Sequence, residues 1–129
     1  MIKEIDEKEH EMITMWGGDV QFRVLPQSLS PNFGLISYIK DKPIIAAWMY
    51  NMEGVYGFIV YPVANPEADN KERTPAFKEL IESFEKRAKK EGLSFLFTTT
   101  NNGSLLKRFQ DSKFLTTDTD VVHLIKKVG

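Results

Sequence analysis

Long apolar runs separated by very short polar gaps occupy the middle of the chain. Residues 33–40, 43–52 and 55–63 are each rich in aliphatic, β-branched and aromatic side chains. The gaps between them hold only Asp41-Lys42 and Glu53-Gly54, which are short enough for tight turns. The pattern therefore predicts a meander of three adjacent antiparallel strands.

A helical period of apolar residues follows the third run. Thr74 is the expected N-cap, Pro75 fits the first helical position, and Gly92 ends the pattern, so we expect a helix over residues 75–91. Charged residues cover the opposite face of this helix. The apolar face is formed by Phe77, Leu80, Ile81, Phe84 and Ala88.

A second helix is predicted near the start of the chain. Asp6 is a plausible N-cap, and Glu9 lies three residues later, which is a capping-box pattern. Met12, Ile13 and Trp16 would supply its apolar stripe, and Gly17-Gly18 would stop it. A short extended piece is expected over residues 20–25, between this helix and the meander.

The last third of the chain continues the alternation. Residues 93–99 read as a strand, 104–110 as a short helix and 121–128 as a final strand. The strand, helix and strand between residues 55 and 99 form a crossover, which normally makes a parallel pair. The predicted order is β, α, the three-strand meander, then α, β, α, β. We therefore expect an α/β or α+β domain with a mixed sheet.

The composition of the chain argues against several classes of protein and of metal site. The 129 residues argue for one domain, 1–129, and the absence of Cys excludes a disulfide scaffold, a thiolate zinc site and a cysteine nucleophile. Two His cannot build a multi-histidine metal site, so no metal is expected. A net charge of −1 disfavours a nucleic-acid module. No apolar run approaches a membrane span, and the acidic N-terminus is unlike a signal peptide, so we expect a soluble cytoplasmic protein without a membrane partner.

Two places offer candidate chemistry. Lys71 and Arg73 stand just before the predicted helix 75–91, where free N–H groups and the helix dipole suit a phosphate. The alternative is a capped helix beside a charged loop. The turn Asn101-Asn102-Gly103-Ser104 follows the predicted strand 93–99, and ordinary turn residues are the alternative there too. Both places lie beyond the carboxyl ends of parallel strands, where ligands bind in open sheets.

The stretch over residues 102–114 carries a resemblance to a known family. The GNAT acyltransferases commonly have Asn, then Tyr seven residues later, then a closing Gly-Phe pair. This chain has Asn102, Phe109 and Lys113-Phe114 at those offsets, so the Tyr and the Gly are replaced. Val60-Tyr61-Pro62 also looks like the family's Val-x-Pro. The element order resembles the family over nearly the whole chain, and the chain is also similar to short divergent members of phage or bacterial type.

The resemblance implies a fold in which the strands over 55–63 and 93–99 splay apart around acetyl-CoA. Residues 72–77 occupy the position of the family's glycine-rich pyrophosphate loop but contain no glycine. The implied contacts come from the backbone of the first strand, from the start of the long helix and from the short helix. They are Phe58, Ile59, Val60, Lys71, Arg73, Thr74, Ala76, Asn102, Leu106 and Phe109.

The resemblance also implies direct transfer of an acetyl group to an amine, of a small molecule or a protein, whose identity the sequence does not give. Phe109 has no hydroxyl to protonate the departing thiolate, so Tyr61 is the expected substitute, with Tyr50 as a further candidate. Glu53 and Glu67 are the expected bases. Each of these residues has a plain alternative, a packed aromatic or a solvated turn charge; His123 is expected to be a packed strand residue.

A second hypothesis is a non-catalytic GNAT-like module that binds a partner protein or coenzyme A. It is motivated by Phe109 and by the absence of a glycine loop. The oligomeric state stays open between a monomer and a homodimer.

Overall fold

A computed structural model of the chain describes residues 1–16, 33–100, 102–122, 124 and 126–129. In chain order the elements are β1 (Ile2–Glu4), α1 (Glu7–Trp16), β2 (Phe33–Ile39), β3 (Lys42–Met52), β4 (Tyr56–Ala64), α2 (Asn70–Lys90), β5 (Phe95–Phe97) and α3 (Gly103–Asp111). The predicted extended piece over residues 20–25 lies outside the described residues.

One mixed sheet of five strands, in the order β1-β2-β3-β4-β5, organises the described part of the chain. The neighbours β1, β2, β3 and β4 are antiparallel, and β4 pairs with β5 in parallel. The predicted meander and parallel pair are therefore confirmed. The short gaps in the sequence set the meander, while the long α2 crossover brings β5 back in the direction of β4.

The two faces of the sheet carry two hydrophobic clusters. The predicted apolar face of α2 is buried against one sheet face, and Phe84 is fully buried there. On the other face, Ile13 of α1 packs with Ile36, Ala46 and Trp48. Burial of an aliphatic or aromatic side chain of this size contributes about 1.5–3 kcal/mol, so α2 and α1 are held to the sheet mainly by these stripes.

The start of α1 follows the sequence pattern. The Glu9 backbone N–H donates to Asp6 Oδ1 at 2.8 Å, and the Asp6 N–H donates to Glu9 Oε1 at 3.0 Å, which is the expected capping box. The Tyr38 hydroxyl of β2 also donates to the Glu9 carboxylate. The cap therefore ties α1 to the sheet as well as satisfying its first turn.

The predicted start of the long helix is wrong. Helix α2 begins at Asn70, because Asp69 is the N-cap and forms a reciprocal capping box with Glu72. That box satisfies two N–H groups, whereas a cap at Thr74 would satisfy one. Pro75 consequently lies inside the helix, where its missing N–H removes one bond near the first turn.

The predicted final strand is wrong at the positions that the structure describes. The strand over residues 93–99 shortens to Phe95–Phe97, and no described residue of 121–128 lies in a strand. A strand of three residues gives a further strand little backbone to pair with. The apolar side chains that were expected to pack are exposed, by 60% at Val121, 75% at Val122, 91% at Leu124 and 90% at Val128. His123 lies outside the described residues.

None of the helices in the described segments is long and apolar enough to cross a bilayer.

Candidate functional site

Strands β4 and β5 are paired over only three positions. The pairs run from Tyr56 with Phe95 to Phe58 with Phe97, and just beyond them the Thr98 hydroxyl donates to the Ile59 carbonyl at 2.9 Å. Strand β4 continues to Ala64, whereas β5 has already ended. The strands therefore part after Ile59, and we call the opening beside residues 60–64 the β4–β5 wedge.

A β-bulge distorts β4 at the mouth of this wedge. Val60 pairs with Trp48 and Val63 pairs with Ala46, so Tyr61 and Pro62 together oppose one residue of β3. Tyr61 has a φ of 55°, a left-handed conformation that costs a non-glycine residue about 1–2 kcal/mol. Pro62 has no N–H to leave unpaired at this irregular point. The bulge thus breaks the regular alternation of side chains where the strands separate.

Tyr61 is the predicted catalytic residue that the structure places at the wedge. Its ring packs against Trp48, with centroids 6.4 Å apart, on the sheet face that carries α1. Burial raises the pKa of Tyr61, and the neighbouring Tyr50 hydroxyl raises it further. The phenol therefore remains protonated at neutral pH and can donate a hydrogen bond or a proton.

The two predicted bases lie elsewhere. Glu53 is exposed in the β3–β4 turn, and the five residue steps from Tyr56 to Tyr61 put about 17 Å of strand between turn and bulge. Glu67 lies in a loop tied to the β3 side of β4, where its carbonyl accepts from Lys42 Nζ at 3.1 Å. The structure therefore brings neither carboxylate together with Tyr61.

The start of α2 is already occupied by carboxylates. The Glu72 N–H donates to Asp69 Oδ1 at 2.9 Å, and Lys42 Nζ donates to Glu72 Oε1 at 3.0 Å. The hydrogen bond from Lys42 holds the pKa of Glu72 below its ordinary value. Thr74 and Ala76 lie within the helix, past the first turn whose N–H groups are free.

Two predicted cationic contacts remain near this end of α2. Lys71 is exposed, and Arg73 Nη2 donates to the Asn65 carbonyl at 2.8 Å. Arg108 of α3, which the sequence prediction missed, donates from Nη2 to Asn70 Oδ1 at 3.0 Å. The only sequence signal for Arg108 was a basic residue next to Phe109, whereas its contact with α2 depends on the packing of two helices.

The stretch that carried the family resemblance forms α3 and its ends. Asn102 is the N-cap of α3, and its Oδ1 accepts from the Leu105 N–H at 3.1 Å. Leu106 is 40% exposed on the same helix. Phe109 is only 2% exposed and packs edge-on against Phe77, with centroids 5.0 Å apart. Phe109 therefore fills the core between α2 and α3.

The closing residue pair of that stretch ends α3. The Phe114 N–H donates to the Phe109 carbonyl and the Lys113 N–H donates to the Gln110 carbonyl, each at 3.0 Å, which is a Schellman motif. Lys113 has a φ of 74°. The chain keeps the left-handed position that a glycine normally fills, with lysine in its place.

A band of exposed side chains, four aromatic rings and one methionine, extends from the wedge along the same sheet face as Tyr61. Strand register places its members on one face, and each is between 37% and 59% exposed. The Tyr56 ring lies 5.6 Å from that of Phe95, between centroids. We call this band the aromatic face; it consists of Tyr50, Met52, Tyr56, Phe95 and Phe97.

Comparison with known proteins identifies the fold of the chain. No family model matches the chain, and no curated protein matches it. A solved aminoglycoside acetyltransferase, meta-AAC0020 from an uncultured soil metagenomic sample, matches all of this chain and 96% of its own, with a TM-score of 0.67 and 14% identity. This chain has the fold of the GNAT acetyltransferases. The expected fold class is thereby confirmed.

Other solved structures agree on the GNAT fold. The aminoglycoside 6'-N-acetyltransferase AAC(6')-IG from Acinetobacter haemolyticus gives a TM-score of 0.68 at 17% identity and covers 100% of this chain and 99% of its own. Ard1 from Thermoplasma volcanium gives 0.69 at 14% identity and covers 92% and 84%. At these identities the likeness concerns the fold.

Proposed function

We propose that this chain is an N-acetyltransferase that transfers an acetyl group directly from acetyl-CoA to an amine, of a small molecule or a protein. The observation that carries the proposal is the β4–β5 wedge with its bulge at Tyr61, in a chain with the GNAT acetyltransferase fold. A wedge between parallel strands exposes backbone N–H and C=O groups that would be hydrogen-bonded to the neighbouring strand in a regular sheet. Such groups suit an extended ligand with amide bonds.

The backbone contacts expected along β4 are unequal. Phe58 lies within the paired part of the strand, and the Ile59 carbonyl already accepts from Thr98. The backbone groups of a strand point alternately to its two edges, so Val60, which follows Ile59 and pairs with Trp48, directs its own groups toward β3. We therefore assign the main amide contact to the backbone of the bulge at Tyr61, with Asn102 and Leu106 at the start of α3 on the other side of the ligand.

The transfer needs two proton movements. The amine nitrogen forms a bond to the acetyl carbon, the carbon–sulfur bond breaks, the nitrogen loses a proton and the thiolate gains one. Tyr61 is the proposed proton donor to the thiolate, because its phenol is protonated and lies at the bulge. With Glu53 and Glu67 away from the wedge, the proposed acceptor for the amine proton is water. The chain has no Cys, so no cysteinyl intermediate can form.

Calorimetric titration of the full chain with acetyl-CoA tests binding, and release of free thiol with a panel of primary amines tests turnover. We expect saturable binding and amine-dependent thiol release. No binding at millimolar acetyl-CoA would refute the proposal. Binding without turnover across the panel would assign the chain to the non-catalytic alternative.

The role of Tyr61 is tested by Tyr61→Phe, with Tyr56→Phe as the matched control on the exposed aromatic face. Tyr61→Phe keeps the ring in the bulge and removes only the hydroxyl. We expect kcat to fall by about 100-fold, the usual scale of a general acid, with little change in acetyl-CoA binding. Tyr56→Phe should leave kcat within about twofold of that of the unaltered chain. Equal rates for the two variants would remove Tyr61 from the mechanism.

A further inference from the structure

The first turn of α2 is a poor anion cradle in this chain. Asp69 and Glu72 both direct carboxylate oxygens at its N–H groups. A phosphate brought to the same groups would meet two negative charges and would have to displace both hydrogen bonds. If acetyl-CoA binds at the wedge, its phosphates need cations from another part of the site.

Two arginines from different helices lie beside this first turn. Arg73 of α2 and Arg108 of α3 are both half-buried. Burial lowers the pKa of Arg108, and the charge of Arg73 lowers it further, which reflects their proximity. Each guanidinium donates to a neutral oxygen, of Asn65 or of Asn70. Within the described residues neither arginine forms an ion pair with a carboxylate.

The two arginines also have N–H hydrogen-bond donors that no group among the described residues uses. A guanidinium carries five N–H donors in a fork that matches phosphate oxygens. Arg73 Nε is buried and has no hydrogen-bond partner in the structure. Two like charges placed together repel each other, and an anion between them would reverse that cost while occupying the unused donors. The arrangement is therefore that of a phosphate site.

We propose that Arg73 and Arg108 together bind a phosphate group of acetyl-CoA, in place of a glycine-rich loop at the helix end. The proposal rests on the proposed function, because it takes acetyl-CoA as the ligand of the wedge. Phe77 and Phe109, which pack α2 against α3 next to the pair, fix the distance between the two helices. The ligand carries a diphosphate and a 3'-phosphate, and the same arginine chemistry fits either.

Calorimetry with the full chain measures how much Arg108 contributes to binding of the phosphate groups and of the pantetheine part of the ligand. Arg108→Gln is compared with Lys107→Gln, which removes the same charge from an exposed neighbour on the same helix. The ligands are coenzyme A, 3'-dephospho-coenzyme A and pantetheine, which lacks all of the phosphates. We expect Arg108→Gln to weaken coenzyme A binding at least tenfold and to leave pantetheine binding unchanged, while Lys107→Gln changes either affinity less than twofold.

The two smaller ligands identify the phosphate. A defect that persists with 3'-dephospho-coenzyme A places the diphosphate on the arginine pair, and a defect that disappears places the 3'-phosphate there. Arg108→Lys keeps the charge but loses the fork, so its affinity should fall between those of Arg108→Gln and the unaltered chain. Circular dichroism melting of each variant shows whether it is folded.

The outcomes distinguish this proposal from the proposed function. If coenzyme A binds the unaltered chain and Arg108→Gln equally well, the arginine site is refuted and the proposed function stands. If the folded unaltered chain binds no coenzyme A, the proposed function fails and the site fails with it. An equal loss of pantetheine binding in Arg108→Gln would mean a structural role for Arg108 and would also overturn the site.

Discussion

Individual residues in left-handed conformations stand at both ends of the candidate site. Tyr61 takes a φ of 55° in the β4 bulge, and Lys113 takes a φ of 74° after α3. Both positions cost free energy because a side chain meets the backbone there. Tyr61 lies in the bulge where β4 and β5 part, which gives its conformation a role in the proposed function. Among the described residues, the Lys113 side chain forms no ion pair.

A single substitution at the end of α3 should therefore raise the free energy of unfolding. Lys113→Gly should stabilise the protein by about 1 kcal/mol, which corresponds to roughly 4 °C in Tm, because glycine adopts this φ without steric cost. Helix α2 provides the matched control. It ends in the same motif, with Gly92 at φ 75° and Leu93 bonded to the Ala88 carbonyl at 2.9 Å.

Thermal and urea unfolding measure both changes. Gly92→Ala should lower the unfolding free energy by about 1 kcal/mol, opposite in sign to Lys113→Gly. If Lys113→Gly leaves the unfolding free energy unchanged while Gly92→Ala lowers it, the left-handed conformation at Lys113 is not a source of strain.

At the scale of elements, the start of α2 depends on a charged capping box. The pKa of Glu72 is lowered by its hydrogen bond to Lys42 and by the Asp69 N–H. A carboxyl whose pKa is lower in the folded state stabilises the fold above its unfolded pKa, near 4.5, and loses that contribution as pH falls through the folded pKa. The cap should therefore weaken in acid.

Glu72→Gln isolates the charge, because a glutamine still accepts the capping hydrogen bond. We expect a lower Tm than that of the unaltered chain at pH 7, and a difference that shrinks as the pH falls below the folded pKa of Glu72. Glu82→Gln, on the exposed side of the same helix, is the control and should shift Tm little at any pH. A Tm difference for Glu72→Gln that is constant from pH 7 to strong acid would contradict the argument.

At the scale of the whole molecule, the described residues after Phe114 add little to the packed structure. All of them are exposed, and among the described residues the last side-chain hydrogen bond along the chain joins Gln110 to Thr116 at 3.0 Å. The two hydrophobic clusters are complete without them, since Phe114 is the last residue packed against either. The stability of the fold should therefore not depend on this segment.

A chain that ends at Thr116 tests this expectation. We expect its Tm to stay within about 2 °C of that of the full chain, because it loses no buried apolar side chain among the described residues. The measurement is thermal unfolding by circular dichroism, with sedimentation of both chains to detect any change of oligomeric state. A loss of many degrees would show that residues 117–129 do pair with the sheet, as the sequence pattern predicted.

Predictions from the sequence succeeded where the signal was local. The box at Asp6 and Glu9, the apolar face of α2 and the short turns of the meander all involve residues within a few positions of one another. The start of α2 failed because two local signals competed, and Asp69 with Glu72 outweighed Thr74 with Pro75. The final strand failed because an apolar alternation does not provide a partner strand.

The amino-acid pattern is enough to predict the meander, the helical crossover after it and the short helix within residues 102–114, although the expected final strand is absent from the described residues. The site, by contrast, depends on packing in three dimensions. The wedge begins where Thr98 bonds the Ile59 carbonyl, 39 positions earlier, and Arg108 meets Asn70 across 38 positions. Such contacts form when a whole sheet and two helices pack together, so no local pattern of residues encodes them.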